Sequence, residues 1–510
     1  MTNEPLKEKA EKAEKLVKNS LWLFTAEGSS KIIALVTQIF AARFLGGEGY
    51  GIFSFAFAAT GAFIVFIDTG LGTFLTREVS RHSEKASACL HNVFALKWKL
   101  SLMMGLILSA ALSMASLGHE SLFSAIAIGL ALMINGYTEM YLAVFRAFER
   151  MEIVSILMIA QRVLFFILGL AVLLWGGDVV LFSSAFLFVS VIILIATRRQ
   201  MAVRQGLKRT THDRQLAREI FKSSLPICGL ILFTYIYFRI DAVLIFFLRG
   251  KLETGWYSSA FKLIETLSLL IASIRFGVFP VLSKTFKEGS DHYQKIWKET
   301  VRYLFLFCIP VSVGMILLAS RILGLLYGTS FETAGPVLQI MALGFPLLCL
   351  NDLASYLLLS QDKTRSVLQI AGGAAVFNVF LNFFLIPKWG MVGAACAATL
   401  TQGLVFSAYY FKVREICGRT GIPTLIWRPL LASGGMALLL IGWDSLPLIP
   451  AVLLSAVIYF AALLILRTFN DFDRLIFSRI LNPHDVGRKS GLRSLRSPAQ
   501  EKKCTDENSE

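Results

Sequence analysis

Apolar residues of this chain lie in long unbroken blocks, separated by short polar connections. A helix needs about 20 apolar residues to cross the ~30 Å hydrocarbon core of a bilayer, whereas a barrel strand needs about 10 alternating ones. The blocks therefore predict membrane-spanning helices. We expect fourteen, numbered here as spans one to fourteen: 20–45, 50–76, 92–116, 121–146, 153–175, 178–197, 222–249, 255–283, 302–327, 335–360, 366–386, 391–412, 425–443 and 447–467.

Composition and charge agree with a membrane protein and indicate its orientation. Hydrophobic residues make up 55% of the 510 residues, aromatic residues make up 12%, and the formal net charge is +16. Lysine and arginine favour the two chain ends and every second loop, whereas the opposite loops hold only Arg43, Arg249, Lys251 and Lys388. Basic loops stay on the cytoplasmic side of a membrane. Both chain ends are therefore predicted to be cytoplasmic, as an even number of spans also requires.

Other features argue against a metal, a cofactor or nucleic acid. The seven cysteines are scattered and form no CxxC pair, so neither a zinc site nor a disulfide framework is expected. The basic loop at 198–222 is interpreted as facing anionic lipid headgroups. The expected partner is therefore the lipid bilayer, and no cofactor is predicted.

An internal repeat relates the two halves of the chain. The turn after span one reads FLGGEGYGIFSFAF, and the turn after span seven reads FLRGKLETGWYSSAF. Both contain Phe-Leu, a glycine loop and G-x-[FY]-S-x-A-F, with Gly51 matching Gly255 at an offset of 204 residues. Because both turns follow a span that starts inside, the repeat is parallel. It predicts two six-span lobes, with spans thirteen and fourteen as an appendage.

The same stretches resemble a known family. RIDAVLIFFLRGKLETGWYSSAFKLIE at 239–265, NFFLIPKWGMVGAACAATLTQGL at 382–404 and GGEGYGIFSFAFA after span one are similar to the Wzx-type polysaccharide flippases of the multidrug/oligosaccharidyl-lipid/polysaccharide (MOP) exporter superfamily. The resemblance covers spans one to twelve. It implies a flippase that moves a polyprenyl-pyrophosphate-linked oligosaccharide, of the O-antigen or exopolysaccharide repeat-unit type, from the cytoplasmic to the outer leaflet by alternating access of the two lobes.

The predicted fold is accordingly an all-α polytopic membrane protein with fourteen transmembrane helices, two pseudo-symmetric six-helix lobes and two C-terminal helices, as in MOP and MATE transporters. The resemblance implies the cytoplasmic membrane of a bacterium or archaeon, with glycosyltransferases and a glycan polymerase as expected protein partners. The predicted regions are a charged cytoplasmic head (1–19), an N-lobe (20–200), a basic linker (201–221), a C-lobe (222–415), spans thirteen and fourteen (416–468) and a disordered polar tail (469–510).

Charged residues inside the spans are the candidate chemistry. A lipid-facing charge costs about 2.5–3.5 kcal/mol on insertion scales, so these residues must face each other or a wet cavity. A guanidinium binds pyrophosphate through paired hydrogen bonds and keeps its charge. Four basic residues are therefore predicted to line a cavity for the pyrophosphate and first sugars: Lys31, Arg162, Arg239 and Arg275. Interhelical salt bridges with Asp68, Glu139 and Asp352 are the alternative.

Other polar residues suggest coupling and sugar contacts. Asp241 and Asp352 are candidates for taking up H+ or Na+, with a permanent basic partner as the alternative. Asn378 and Asn382, four residues apart in span eleven, are candidate ligands for sugar hydroxyls, or they join helices.

Glycines mark a candidate gate at the repeated turns. Gly47, Gly51 and Gly255 are predicted to act as a gate or hinge on the outer side, with an ordinary tight turn as the alternative.

Three competing functions are weighed against the flippase. The sequence contains no GxxxxGK[ST] loop, so the expected energy source is an ion gradient, the membrane potential or substrate flux. An enzyme is not expected, because the DxD at Asp471 and Asp473 that a membrane glycosyltransferase would use lies in the tail without a surrounding domain. A lipid II flippase and a multidrug or cation antiporter of the same superfamily remain the alternatives.

Overall fold

The computed structural model describes residues 4–205, 213–268, 290–361, 363–418, 421–443 and 446–468, and within these ranges every regular element is helical. Two of the elements are short 3-10 turns, at Ser83–Lys85 and Thr329–Ala334. The others are α-helices: α1 Glu4–Asp68, α2 Leu71–Arg81, α3 Ala86–Met114, α4 His119–Ala147, α5 Met151–Leu174, α6 Val179–Gln205, α7 Arg214–Arg249, α8 Lys251–Leu267, α9 Ser290–Tyr327, α10 Gly335–Ser360, α11 Thr364–Cys417, α12 Ile422–Gly442 and α13 Leu448–Ile465.

The described helices confirm an all-α polytopic membrane protein. Eleven helical segments are long and apolar enough to cross a bilayer. Two of them, Thr25–Arg81 and Thr364–Cys417, each contain two predicted spans, so the eleven account for thirteen of the fourteen spans. Span eight is described only over α8 and the adjoining Ser268. The predicted polar tail at 469–510 lies outside the described residues.

Two pairs of spans are joined by a single glycine. Gly46, inside α1, has φ +70° and ψ −176°, and Gly390, inside α11, has φ +56° and ψ −135°. Glycine adopts such positive φ values without the steric cost of a Cβ atom. The multi-residue loops predicted between spans one and two and between spans eleven and twelve are therefore wrong, because the helix resumes directly after each break.

The predicted cytoplasmic end of span two also differs from the structure. Helix α1 ends at Asp68, eight residues before the predicted limit, and Gly70 with φ +75° precedes the separate helix α2. Helix α2 buries Leu71, Phe74 and Leu75 on one face. The predicted limit of span two was too far along the chain, because the apolar residues of α2 were counted as part of the span. Helix α2 is amphipathic, and its polar face is one that a spanning helix does not need.

Two compact units divide the chain, residues 1–426 and 427–510. In the first unit, α1 packs against α4, α5, α7 and α8, and α11 packs against α7 and α10. In the second, the Arg428 guanidinium donates a hydrogen bond to the Arg467 carbonyl at 3.1 Å. Contacts of α1 with both α5 and α8 bring residues of the two predicted lobes together, which positions the charged residues described next.

Candidate functional site

Two adjoining cavities lie beside Arg239 and Glu265. The interlobe chamber, about 480 Å³, is lined by residues of spans one, two, four, five and six and of spans seven and eight. The C-lobe chamber, about 660 Å³, is lined by residues of spans seven, eight, ten, eleven and twelve, with Lys31 as its one described contributor from the N-lobe. Both chambers share a wall that includes Lys31, Tyr235, Phe238, Arg239 and Glu265.

Glu265 is the centre of charge in the interlobe chamber. Its Oε1 accepts a hydrogen bond from the Arg239 Nη2 at 2.6 Å, and its Oε2 accepts one from the Lys262 Nζ at 3.0 Å. Lys31 and Arg162 line the same chamber and interact with this carboxylate electrostatically. Two cations are therefore hydrogen-bonded to Glu265, and two more line the same chamber.

The sequence accounts for the positions of Arg239 and Asp241. Two residues apart on span seven, they point to different sides of the helix. Arg239 extends into the chambers and its guanidinium lies 5.2 Å from the centre of the Phe261 ring, a cation–π contact. Asp241 turns into the lobe interior and is 1% exposed.

Asp241 belongs to a buried polar cluster. The Tyr257 hydroxyl donates to its Oδ2 at 2.5 Å and the Asn382 Nδ2 donates to its Oδ1 at 2.6 Å. The same Nδ2 also donates to the Asn378 Oδ1 at 3.0 Å. No described lysine or arginine forms an ion pair with Asp241, which borders a cavity of about 40 Å³, large enough for a water molecule or a small ion.

Asn378 and Asn382 are fully buried and line neither chamber. Their amides face Asp241 and each other, so their predicted contact with sugar hydroxyls is not available in this conformation. Asp352 lines the C-lobe chamber. Arg275 lies outside the described residues.

Two N-lobe acids have partners of their own. Lys97, fully buried, forms an ion pair with Asp68, and Arg146 forms one with Glu139. Asp68 lines the interlobe chamber, but Lys97 balances its charge. Sequence reasoning missed Lys97, which lies near the start of span three, where a lysine is expected to extend to the interface. The feature of the sequence that could have indicated a buried Lys97 is Asp68, an acid at the matching depth of span two.

The three predicted gate glycines meet at one seam. A Cβ atom on Gly51 would overlap the Lys251 carbonyl oxygen, and one on Gly255 would overlap the Gly47 carbonyl oxygen. At the 204-residue offset, Gly47 corresponds to Lys251 and Gly51 corresponds to Gly255. Each of the two contacts is therefore the equivalent of the other, as a two-fold relation between the lobes requires. Close to this seam in the sequence, Arg43 donates through Nε to the Leu326 carbonyl at 2.7 Å. The predicted outer ends of the two lobes are therefore in contact.

Two helical lobes with kinked spans, facing a charged cavity at membrane depth, define a multi-pass membrane transporter. Residues 16–286 match the family described as "Polysaccharide biosynthesis protein", and residues 153–466 match the one described as "Lipid II flippase MurJ". The chain belongs to the polysaccharide biosynthesis protein family, within the MOP superfamily that the sequence resemblance indicated.

Individual relatives agree with this membership. A "Putative O-antigen transporter" of Shigella flexneri is 23% identical over 403 residues, which cover 74% of this chain and 93% of the relative. A "Probable low-salt glycan biosynthesis flippase Agl15" of Haloferax volcanii is 22% identical over 78% of this chain and 84% of its own length.

Solved structures show the same fold. "Lipid II flippase MurJ, inward closed conformation" matches with a TM-score of 0.71 and 17% identity over 90% of this chain and 99% of that chain. An inward-facing multidrug resistance MATE transporter of the MOP superfamily matches with a TM-score of 0.64 and 15% identity over 76% and 95%. The predicted MOP and MATE-like fold is confirmed.

Proposed function

We propose that this protein is a flippase that moves a polyprenyl-pyrophosphate-linked oligosaccharide, of the O-antigen or exopolysaccharide repeat-unit type, from the cytoplasmic to the outer leaflet. Relatives named as an O-antigen transporter and a glycan biosynthesis flippase support the substrate class, and the four cationic side chains that line the interlobe chamber carry the proposal. The setting is the cytoplasmic membrane of a bacterium or archaeon, with both chain ends in the cytoplasm and with glycosyltransferases and a glycan polymerase as partners. No enzymatic step is proposed.

Electrostatics favour an anionic substrate over a cationic drug. In the described wall of the interlobe chamber, Lys31, Arg162, Arg239 and Lys262 outnumber Asp68 and Glu265, and Asp68 is already balanced by Lys97. Charges act more strongly on each other at this depth than in water. A diphosphate offers several acceptor oxygens to the two guanidinium groups, which bind such groups in a bidentate manner.

The contacts between lobes support alternating access. The glycine seam joins the lobes at their predicted outer ends, while Leu359 and Val367, at the predicted cytoplasmic ends of spans ten and eleven, line the C-lobe chamber. This arrangement suits loading from the cytoplasm, after which Gly47, Gly51 and Gly255 separate to release the substrate outside.

Asp241 is the proposed coupling site for H+ or Na+. Burial of an ionised carboxylate without a cation costs several kcal/mol, and the carboxyl lowers that cost by taking up a proton or an ion. Oxygen atoms of Tyr257, Asn378 and Asn382 lie in the same cluster. Asp352, in the C-lobe chamber, is the second proposed coupling residue.

The test is to express an Arg239→Ala variant in a strain that lacks the protein and to measure the amount of surface glycan. We expect surface glycan to fall at least about tenfold, since charge-assisted hydrogen bonds are worth about 1.5–3 kcal/mol each, while Arg239→Lys retains part of the activity. Lys412→Ala, which breaks an exposed pair with Glu415, is the control and keeps normal glycan. Normal glycan with Arg239→Ala, at equal protein level, would exclude Arg239 from the site.

A lipid II flippase is the second candidate, because residues 153–466 match that family and lipid II has the same diphosphate headgroup chemistry. Expression in cells depleted of their own lipid II flippase separates the two. Restored growth would favour lipid II as the substrate, whereas surface glycan without restored growth would favour the oligosaccharide.

A further inference from the structure

The two chambers differ in charge. In the described wall of the interlobe chamber basic residues outnumber acidic ones by four to two, whereas the C-lobe chamber has two of each: Lys31 and Arg239 against Glu265 and Asp352. All charged residues of the C-lobe chamber except Asp352 belong to the wall that the chambers share. The larger chamber is therefore close to neutral, and an anion gains little by entering it.

Neutral polar and aromatic groups make up much of the C-lobe chamber. Asn351 and Gln402 contribute amides, Thr234 and Ser355 contribute hydroxyls, and tyrosines contribute both rings and phenols: Tyr235, Tyr237, Tyr356 and Tyr409. A sugar ring has hydroxyls at its edge and apolar C–H groups on its faces. Amides and hydroxyls bind the sugar hydroxyls, and aromatic rings pack against the C–H faces. A polyprenyl chain is apolar and forms no hydrogen bonds with the amides.

Two buried polar atoms in this wall have no partner among the described residues. The Tyr237 hydroxyl and the Asn351 Oδ1 make no hydrogen bond. Leaving a buried donor or acceptor unsatisfied costs about 1–3 kcal/mol. A side-chain rotation that turned either atom toward the chamber would let a ligand hydroxyl remove that cost.

Asn351 is held in place by its neighbour. Its Nδ2 donates to the Gln402 carbonyl at 3.0 Å and to the Gln402 Oε1 at 2.9 Å. Both amides are therefore oriented before a ligand arrives, which lowers the entropic cost of binding. No hydrogen bond to a described residue uses the Nε2 of Gln402, which remains available as a donor.

We infer that the C-lobe chamber is the glycan subsite of the protein, in which Tyr237, Asn351 and Gln402 bind hydroxyls of the sugars next to the diphosphate. The inference rests on the proposed function, because the diphosphate in the interlobe chamber places the sugars beyond the shared wall at Arg239 and Glu265. The substrate then lies across both chambers, with its charge on the N-lobe side and its sugars in the C-lobe.

The test compares two ligands on purified protein in lipid nanodiscs. One is the lipid-linked oligosaccharide extracted from a strain that lacks the protein, and the other is bare polyprenyl diphosphate. Tyr237→Phe removes only an unpartnered hydroxyl, so the protein remains folded. We expect it to bind the glycan-bearing lipid about three- to tenfold more weakly, the loss expected for one or two hydrogen bonds, and the bare diphosphate equally well.

Matched variants separate a local effect from a general one. Tyr327→Phe also removes a buried hydroxyl without a partner, outside both chambers, and should bind both ligands as the unmodified protein does. Ala371→Phe fills the C-lobe chamber and should weaken only the glycan-bearing lipid. Ala34→Phe, in the interlobe chamber, should weaken both ligands.

Several results would overturn the inference. If Tyr237→Phe and Ala371→Phe weaken both ligands equally, or neither, the chamber does not bind sugars although the flippase proposal stands. If Tyr237→Phe changes the dependence of binding on pH or sodium but not the preference between the two ligands, the Tyr237 hydroxyl belongs to the Asp241 cluster. Competition by tetraphenylphosphonium that is lost in Asp352→Asn would make the chamber a cation site. An unmodified protein that binds neither lipid would contradict the proposed function itself.

Discussion

Asp241 and Glu265 are two carboxylates of neighbouring spans with opposite surroundings. Asp241 is 1% exposed and accepts hydrogen bonds from a phenol and an amide. The side chain of Glu265 is 33% exposed, faces a chamber and pairs with Arg239 and Lys262. Both lie at a depth where an unbalanced charge is costly, yet only Glu265 has cations beside it among the described residues.

The difference separates two tasks that residue type alone cannot distinguish. A carboxylate with excess cations around it is a counter-charge, and it keeps a cationic pocket stable until an anionic substrate arrives. A carboxylate with neutral donors around it is most stable when a proton or a metal ion neutralises it. The same lobe therefore contains one acid suited to substrate exchange and another suited to coupling.

The largest expected effect is on ion coupling. Asp241→Asn removes the charge of the buried cluster and keeps the size of the side chain, so we expect the dependence of transport on pH or sodium to disappear and the rate at a full gradient to fall at least about tenfold. Transport of fluorescent lipid-linked oligosaccharide into proteoliposomes, with and without each gradient, measures this effect.

Glu265→Gln serves as the matched comparison in the same assay. It changes a carboxylate that has its own cations, so its transport should retain the gradient dependence of the unmodified protein. The assignment of Asp241 to coupling and of Glu265 to the substrate pocket is contradicted if Asp241→Asn keeps the gradient dependence or if Glu265→Gln loses it.

Much of this arrangement could be predicted from particular residues. Block length predicted the helices. The two-residue spacing of Arg239 and Asp241 on one helix requires that they face different sides, as the structure has them. The (i, i+3) spacing of Lys262 and Glu265 likewise places them on one helix face, where they form their pair. Each of these inferences needs only the geometry of one helix.

Contacts between helices were not predictable in the same way. The sequence cannot show that Lys97 balances Asp68 or that Asn382 bonds Asp241, because both contacts depend on helix rotation and depth. The sequence likewise cannot show that cations gather at the interlobe chamber. The single-residue breaks at Gly46 and Gly390 look like ordinary loops in the sequence.

A smaller effect is expected on headgroup affinity. Glu265→Gln removes the anion that competes with a diphosphate for Arg239 and Lys262, so inorganic pyrophosphate should bind about fivefold more tightly, a gain of ~1 kcal/mol after solvent screening. Asp241→Asn should leave this affinity unchanged, because the Asp241 side chain does not line the interlobe chamber. Isothermal titration of the purified protein measures both, and weaker binding by Glu265→Gln would show that the carboxylate positions the cations instead of competing for them.

The smallest effect is expected at a third carboxylate, Asp68, which combines features of the other two. It borders the interlobe chamber like Glu265, but its charge is balanced by the fully buried Lys97. Removing both partners in Asp68→Asn/Lys97→Met should change the stability by no more than about 1 kcal/mol, whereas Asp68→Asn alone leaves a buried ammonium unpaired and lowers it by more. Thermal unfolding in detergent measures both variants. Because the pair carries no net charge, pyrophosphate affinity and gradient dependence should stay unchanged in the double variant, and a change in either would make Asp68 part of the substrate or coupling site.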